Sequence, residues 1–118
     1  MAKRILIAED NPAHSEIIFM FAKRLGYEVV VIDDGVELLT ISTSELFDLI
    51  ITDLMMPNLN GVSATDIMNM LGNTIPVIAL TALSPKDTLL YQDKFTKIFH
   101  KPCNYTELFE YVESLIGK

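Results

Sequence analysis

Five short apolar runs, at positions 4–8, 28–32, 48–52, 76–80 and 97–100, alternate with longer stretches of helical period along the chain. Most of the runs are rich in Ile and Val, and several are apolar at successive positions rather than at every second one. That pattern belongs to strands covered on both faces, as in a parallel sheet. The intervening stretches carry helix signals. Asn11-Pro12 offers an N-cap with proline at the first helical position, Ile18, Phe21 and Leu25 form a stripe, and Gly26 closes the helix. A second helix is predicted over 36–42 after the turn signal Asp34-Gly35, and a third over 62–71 between Asn60-Gly61 and Gly72. A fourth runs over about 85–94. The last follows Asn104, which with Glu107 resembles a capping box, and presents Leu108, Val112, Leu115 and Ile116 on one face.

The order is therefore β-α repeated five times. Right-handed crossovers turn that order into an α/β fold, a (βα)5 doubly wound five-stranded parallel sheet of flavodoxin-like strand order 2-1-3-4-5. No repeat or linker interrupts it, so residues 1–118 read as one domain. Half of the residues are hydrophobic, enough to bury a core. Against 16 Asp and Glu stand 9 Lys and Arg, a net charge of −7, which argues against nucleic acid or an anionic membrane as partner. The longest apolar run, 17–22, is far short of a bilayer span, and 5–8 is too brief for a secretory signal. One cysteine, Cys103, excludes an internal disulfide. The expectation is a soluble, cytoplasmic chain.

Ligands of an open parallel sheet sit beyond the carboxyl ends of its strands. Glu9 and Asp10 follow the first run, Asp53 the third, Thr81 and Ala82 the fourth, and Lys101 with Pro102 the fifth. Singly, each is an ordinary turn or capping residue. Together they put three carboxylates in one crevice, an arrangement that is costly unless a cation neutralises it. Few oxygen ligands with room for water and phosphate suit Mg²⁺ better than a softer metal. The lysine and threonine are then partners for a phosphoryl group beside that metal.

The strings Ile5-Leu6-Ile7-Ala8-Glu9-Asp10-Asn11, Asp53-Leu54-Met55-Met56-Pro57 with Gly61, Thr81-Ala82 and Lys101-Pro102 resemble the signature of two-component receiver domains, in order and over the whole chain. The resemblance implies a phosphoacceptor domain that assists its own phosphorylation and dephosphorylation, not an enzyme in the ordinary sense. It implies that Asp53 takes a phosphoryl group from a phosphohistidine of a sensor histidine kinase or a histidine phosphotransfer protein. Asp10 and Asp53 would bind Mg²⁺, with Glu9 direct or through water and Met55 through its backbone carbonyl. Lys101 would pair with the phosphoryl oxygens, and the Thr81 hydroxyl and the Ala82 amide would take another. A cis peptide at Lys101-Pro102 is implied as well.

Such domains are switches in which the threonine and an aromatic residue three positions before the lysine move together. Here that position is Ile98, while the aromatic Phe99 lies one residue along and faces the other side of the strand. Phe99 is expected in the core, with Ile98 a weak reporter of changes around the fourth helix and fifth strand. Apolar Met55 and Leu83, where the family tunes phosphoryl lifetime, point to slow hydrolysis. The consecutive apolar residues 17–22 suggest a docking surface for the donor's helices beside the crevice. His14 and His100 lie in no ligand-like cluster and are expected to be structural or exposed.

Three rival readings each meet an obstacle in the sequence. A haloacid dehalogenase-type phosphatase needs a second acid two residues past the nucleophile, where Met55 stands. A flavin-binding flavodoxin needs a Ser, Thr and Gly-rich first loop, where Glu9-Asp10 would repel phosphate. A degenerate receiver would lack some of Asp10, Asp53, Thr81 and Lys101, all present. The output is expected to run through an unknown downstream protein effector, without direct nucleic-acid contact, from a monomer or weak dimer. The domain could stand alone or belong to a hybrid histidine kinase.

Overall fold

A computed structural model describes residues 2–118. The domain limit expected at residue 1 falls on Met1, outside the described residues. Strands β1 (Arg4–Ala8), β2 (Glu28–Ile32), β3 (Leu49–Thr52), β4 (Val77–Thr81) and β5 (Lys97–His100) form one sheet in the order β2-β1-β3-β4-β5. All four neighbouring pairs are parallel. In register, Ile7 sits between Val31 of β2 and Ile51 of β3. This is the architecture the alternating runs predict. The reason for their continuous apolarity is visible in the burial, since β3 and β4 are buried at every residue.

Helices α1 (Pro12–Arg24) and α5 (Tyr105–Ile116) cover one face, where Ile18, Ala22, Leu108, Phe109 and Val112 pack on Ile5, Ile7, Ile51 and Leu80. Helices α2 (Gly35–Ser44) and α3 (Gly61–Met70) cover the other, with Leu38, Ala64 and Met68 on Leu6, Ile50 and Ala79. Burial of side chains of this size stabilises by about 1.5–3 kcal/mol each, before entropy is counted. The capping signals operate as expected. Asn11 accepts hydrogen bonds from the N–H groups of Ala13 and His14, Asn60 from that of Ser63, and Asn104 from that of Glu107. The Lys101-Pro102 peptide is cis.

Several boundaries differ from expectation by a residue or two, and three differences have a clear local reason. Asp34 is not only a turn residue: its carboxylate caps α2 by accepting the Glu37 N–H at 2.7 Å, so that helix starts at Gly35. Strand β4 runs one residue further, to Thr81, because the Lys101 N–H donates to the Thr81 carbonyl at 2.7 Å. The predicted fourth helix is a single α-turn, α4 (Pro85–Thr88), followed by a 3₁₀ segment, Leu89–Lys94. Of these ten positions only Thr88 is buried, so no apolar stripe holds the stretch in α geometry. Among the described residues no helix is long and apolar enough to cross a membrane.

Candidate functional site

The strand ends deliver the chemistry, and the sheet fixes its backbone. Hydrogen bonds run one residue past the strands: Glu9 N–H donates to the Ile32 carbonyl at 3.0 Å, and Asp53 N–H to the Ala8 carbonyl at 2.9 Å. The Asp53 carbonyl accepts the Thr52 hydroxyl at 2.8 Å. It also lies so close to Gly61, at the start of α3, that a Cβ on that residue would overlap it. Glycine is thus required where the helix meets the strand end.

Carboxylate oxygens of Glu9, Asp10 and Asp53 lie within 4.8 Å of one another. Glu9 is 2% and Asp53 7% exposed, whereas Asp10 is open to solvent. Into this group projects Lys101, whose Nζ donates to Glu9 Oε1 at 2.6 Å and to Asp53 Oδ2 at 2.9 Å. The remaining oxygens of the buried pair are held as well. Glu9 Oε2 accepts the Asn11 N–H at 3.2 Å, and Asp53 Oδ1 accepts the Met55 N–H at 3.1 Å. The Met55 side chain, by contrast, is 63% exposed.

The electrostatics follow from one ammonium facing three carboxylates. Burial raises the Glu9 pKa above the ordinary carboxylate value; the Lys101 and Asn11 hydrogen bonds oppose the rise, and the Asp53 charge adds to it. For Lys101 burial works to lower the pKa, but hydrogen bonds and charges from Asp53 and Glu9 outweigh it, so the ammonium is held above its usual range. The cluster is still short of positive charge. Its donors are hard carboxylate oxygens without thiolate, a set that fits a small divalent cation such as Mg²⁺.

Thr81 is fully buried, and its Oγ1 accepts the Leu83 N–H at 3.1 Å; Ala82, next in the chain, is exposed. Ile98 and Phe99 divide as the strand alternation requires. Ile98 packs on the face covered by α2 and α3, and Phe99 on the opposite face, edge-on to the Tyr111 ring at 5.8 Å. The fold therefore gathers Glu9, Asp10, Asp53 and Lys101, while the Thr81 hydroxyl engages the following loop and Ile98 belongs to the face behind it.

His100 is structural as expected, whereas His14 comes nearer the acidic group than its sequence context implies. His14 Nδ1 lies 3.2 Å from Lys101 Nζ and 3.8 Å from Glu9 Oε1, so it borders the acidic group. The signal was its place, third in α1, because helical side chains tilt toward the N-terminus and so back to the strand end. His100 Nδ1 is 2.8 Å from the Leu83 carbonyl, to which it donates. On α1 itself, Ile18 and Ala22 are buried, whereas Ile17, Phe19 and Met20 are 38%, 38% and 57% exposed. The consecutive apolar residues are thus a core stripe with an uncovered flank.

A parallel α/β sheet with an acidic, lysine-bearing crevice at its carboxyl edge defines a class of cation-dependent phosphate-handling domains. This chain belongs to the response regulator receiver domain family, whose profile matches residues 5–113. It is 30% identical over 96 residues to the transcription factor SKN7 of Saccharomyces cerevisiae, covering 81% of this chain and 15% of that one. The matched segment is 8% of the sensor histidine kinase RcsC of Salmonella typhimurium, so the chain spans a small part of such relatives. Among solved structures, the response regulator TrrA of Thermotoga maritima, in complex with Mg²⁺-BeF, is 30% identical with a TM-score of 0.87 over 96% of this chain and 98% of that one. The receiver domain of sensor histidine kinase PA1611 of Pseudomonas aeruginosa PAO1, with magnesium in its active-site cleft, is 28% identical with a TM-score of 0.85 over 100% of both chains.

Proposed function

We propose that this chain is the phosphoacceptor switch of a two-component relay, with Asp53 as acceptor. The carrying observation is the placement of the Asp53 carboxylate: nearly buried, its Oδ2 on Lys101 and its Oδ1 on a backbone N–H, beside two further carboxylates. In the reaction an Asp53 oxygen attacks the phosphorus of a phosphohistidine. The P–N bond breaks, its electron pair returns to the imidazole with a proton from solvent, and an acyl phosphate remains on Asp53. A carboxylate is a weak nucleophile, so the domain acts through positioning and charge neutralisation rather than through a strong base. Lys101 moves its hydrogen bonds to phosphoryl oxygens, and the Thr81 hydroxyl and Ala82 amide take another. Asp10, Asp53 and the Met55 carbonyl would hold Mg²⁺, with Glu9 direct or through water, and the ion would supply charge neutralisation for the transferred group.

The donor is a histidine kinase or a histidine phosphotransfer protein, and its helical bundle docks on the exposed flank Ile17, Phe19 and Met20 of α1. Exposed apolar residues on the helix that starts at the crevice support that reading. The output is a protein contact rather than nucleic acid, in keeping with the net charge of −7. We place the domain over residues 1–118, cytoplasmic, as a monomer or weak dimer with no separate catalytic activity.

Incubation with a small acyl phosphate and Mg²⁺, followed by intact mass, tests the core of this reading. The wild type gains one phosphoryl group; Asp53→Asn, and wild type with a chelator, gain none. Absence of any gain from the acyl phosphate and from phosphohistidine donors would sink it.

A further inference from the structure

Leu83 is held by its backbone at both ends. Its N–H donates to Thr81 Oγ1 at 3.1 Å, and its carbonyl accepts from His100 Nδ1 at 2.8 Å. A carbonyl can only accept, so Nδ1 carries the proton in this contact. His100 pairs with Thr81 in the β4–β5 register, and it shares a strand face with Ile98, two residues earlier. That face opens on a groove of about 250 Å³, lined by Thr88, Gln92, Ile98 and His100 among others. One residue of loop thus joins the hydroxyl next to the crevice to an imidazole on the β5 surface.

Resting on the phosphoacceptor reading, we propose that His100 does the reporting for which Ile98 is too small: it relays the state of Asp53 to the α4–β5 face. To reach a group on Asp53 the Thr81 hydroxyl must turn away from the loop, which frees the Leu83 N–H. The loop then resettles, and the Leu83 carbonyl moves relative to the ring that donates to it. Ile98, an aliphatic side chain packed near Phe95 and Leu83 on the same face, has no polar group through which to sense that change. His100 has one, in a strand whose backbone is fixed by β4.

The test uses the full chain labelled with ¹⁵N-histidine and ¹³C-methyl isoleucine, with Mg²⁺ and beryllofluoride as the loading probe and intact mass after acyl phosphate as the measure of uptake. On loading, the His100 ring signals shift and the Nδ1 proton loses its protection from exchange. His100→Leu removes the donor, so the Ile98 methyl shift on loading is lost although phosphoryl uptake is kept. His100→Asn offers an amide donor near the place of Nδ1 and restores that shift. Uptake with an unchanged His100 ring, or an Ile98 shift that persists in His100→Leu, overturns the relay alone. No uptake by the wild type overturns the phosphoacceptor reading and the relay with it.

Discussion

The two ends of the fold that flank the crevice are built differently. On the α1–α5 side, α5 is a 12-residue helix with Leu108, Phe109 and Val112 buried against the sheet. On the β4–β5 side, the chain makes one α-turn and a 3₁₀ segment in which Leu89 and Leu90 are 61% and 85% exposed. The charged cluster needs fixed distances, and its carboxylates hang from the central strands β1 and β3 that both cores grip, with Lys101 reaching them from the edge strand β5. A surface that changes with the state of Asp53 needs the opposite, a segment whose local opening costs little. On the proposed phosphoacceptor reading, the difference teaches that positioning and response fall to separate parts of one small sheet.

The strongest way to break the comparison is to open a cavity on the tight side. Leu108→Ala, at a fully buried position, should cost about 2–5 kcal/mol, read as a fall in the denaturant midpoint. The matching change Leu90→Ala, at an exposed position, should stay within about 0.5 kcal/mol of wild type. Amides of residues 85–94 should exchange faster than those of 105–116 under the same conditions. Equal costs for the two substitutions, or equal exchange, would erase the contrast. Next in size is Gly61→Ala, which forces a Cβ onto the Asp53 carbonyl. It should destabilise by about 1–3 kcal/mol and also slow phosphoryl uptake, because the displaced backbone carries the proposed acceptor, Asp53.

Much of this was legible in the sequence, for reasons that can be named. β3 is apolar at each of Leu49, Ile50 and Ile51 because both its faces are covered, and the strand ends had to meet at one edge once the order of elements was read. What escaped was set by geometry that local patterning does not encode. His14 looks like any first-turn residue until the length of β1 and the entry angle of α1 bring it to 3.2 Å from Lys101. His100 looks like a strand residue until the loop after Thr81 folds back to place the Leu83 carbonyl on it. The shortness of α4 escaped because a cap and a proline mark where a helix begins, whereas its length depends on buried partners that Lys86, Asp87 and Gln92 do not provide.

Smaller effects test whether the positioning half is held together by charge. Because the folded pKa of Glu9 is raised, the folded protein binds more protons than the unfolded chain between the ordinary Glu value and that raised one. The Glu9 contribution to stability is therefore full below the ordinary value and is lost as pH rises through the folded one. Glu9→Gln should have a higher denaturant midpoint than wild type at pH 7 without metal, and the gap should close as pH falls. Added Mg²⁺ should stabilise the wild type more than the variant. A variant less stable than wild type at pH 7 would show that the Lys101 ion pair outweighs the cost of burial.

The smallest effect lies in α3, between the two halves. Thr65 is fully buried, and its Oγ1 has no hydrogen-bond partner among the described residues. An unpaired buried hydroxyl costs about 1–3 kcal/mol, and valine has nearly the same shape without the polar atom. Thr65→Val should therefore leave stability unchanged or raise it by up to about 1 kcal/mol. Phosphoryl uptake should not change, since Thr65 makes no hydrogen bond to the acidic cluster among the described residues. A loss of stability would mean that this hydroxyl does have a partner in solution, and a water bridging it to the α3 backbone would be the first place to look.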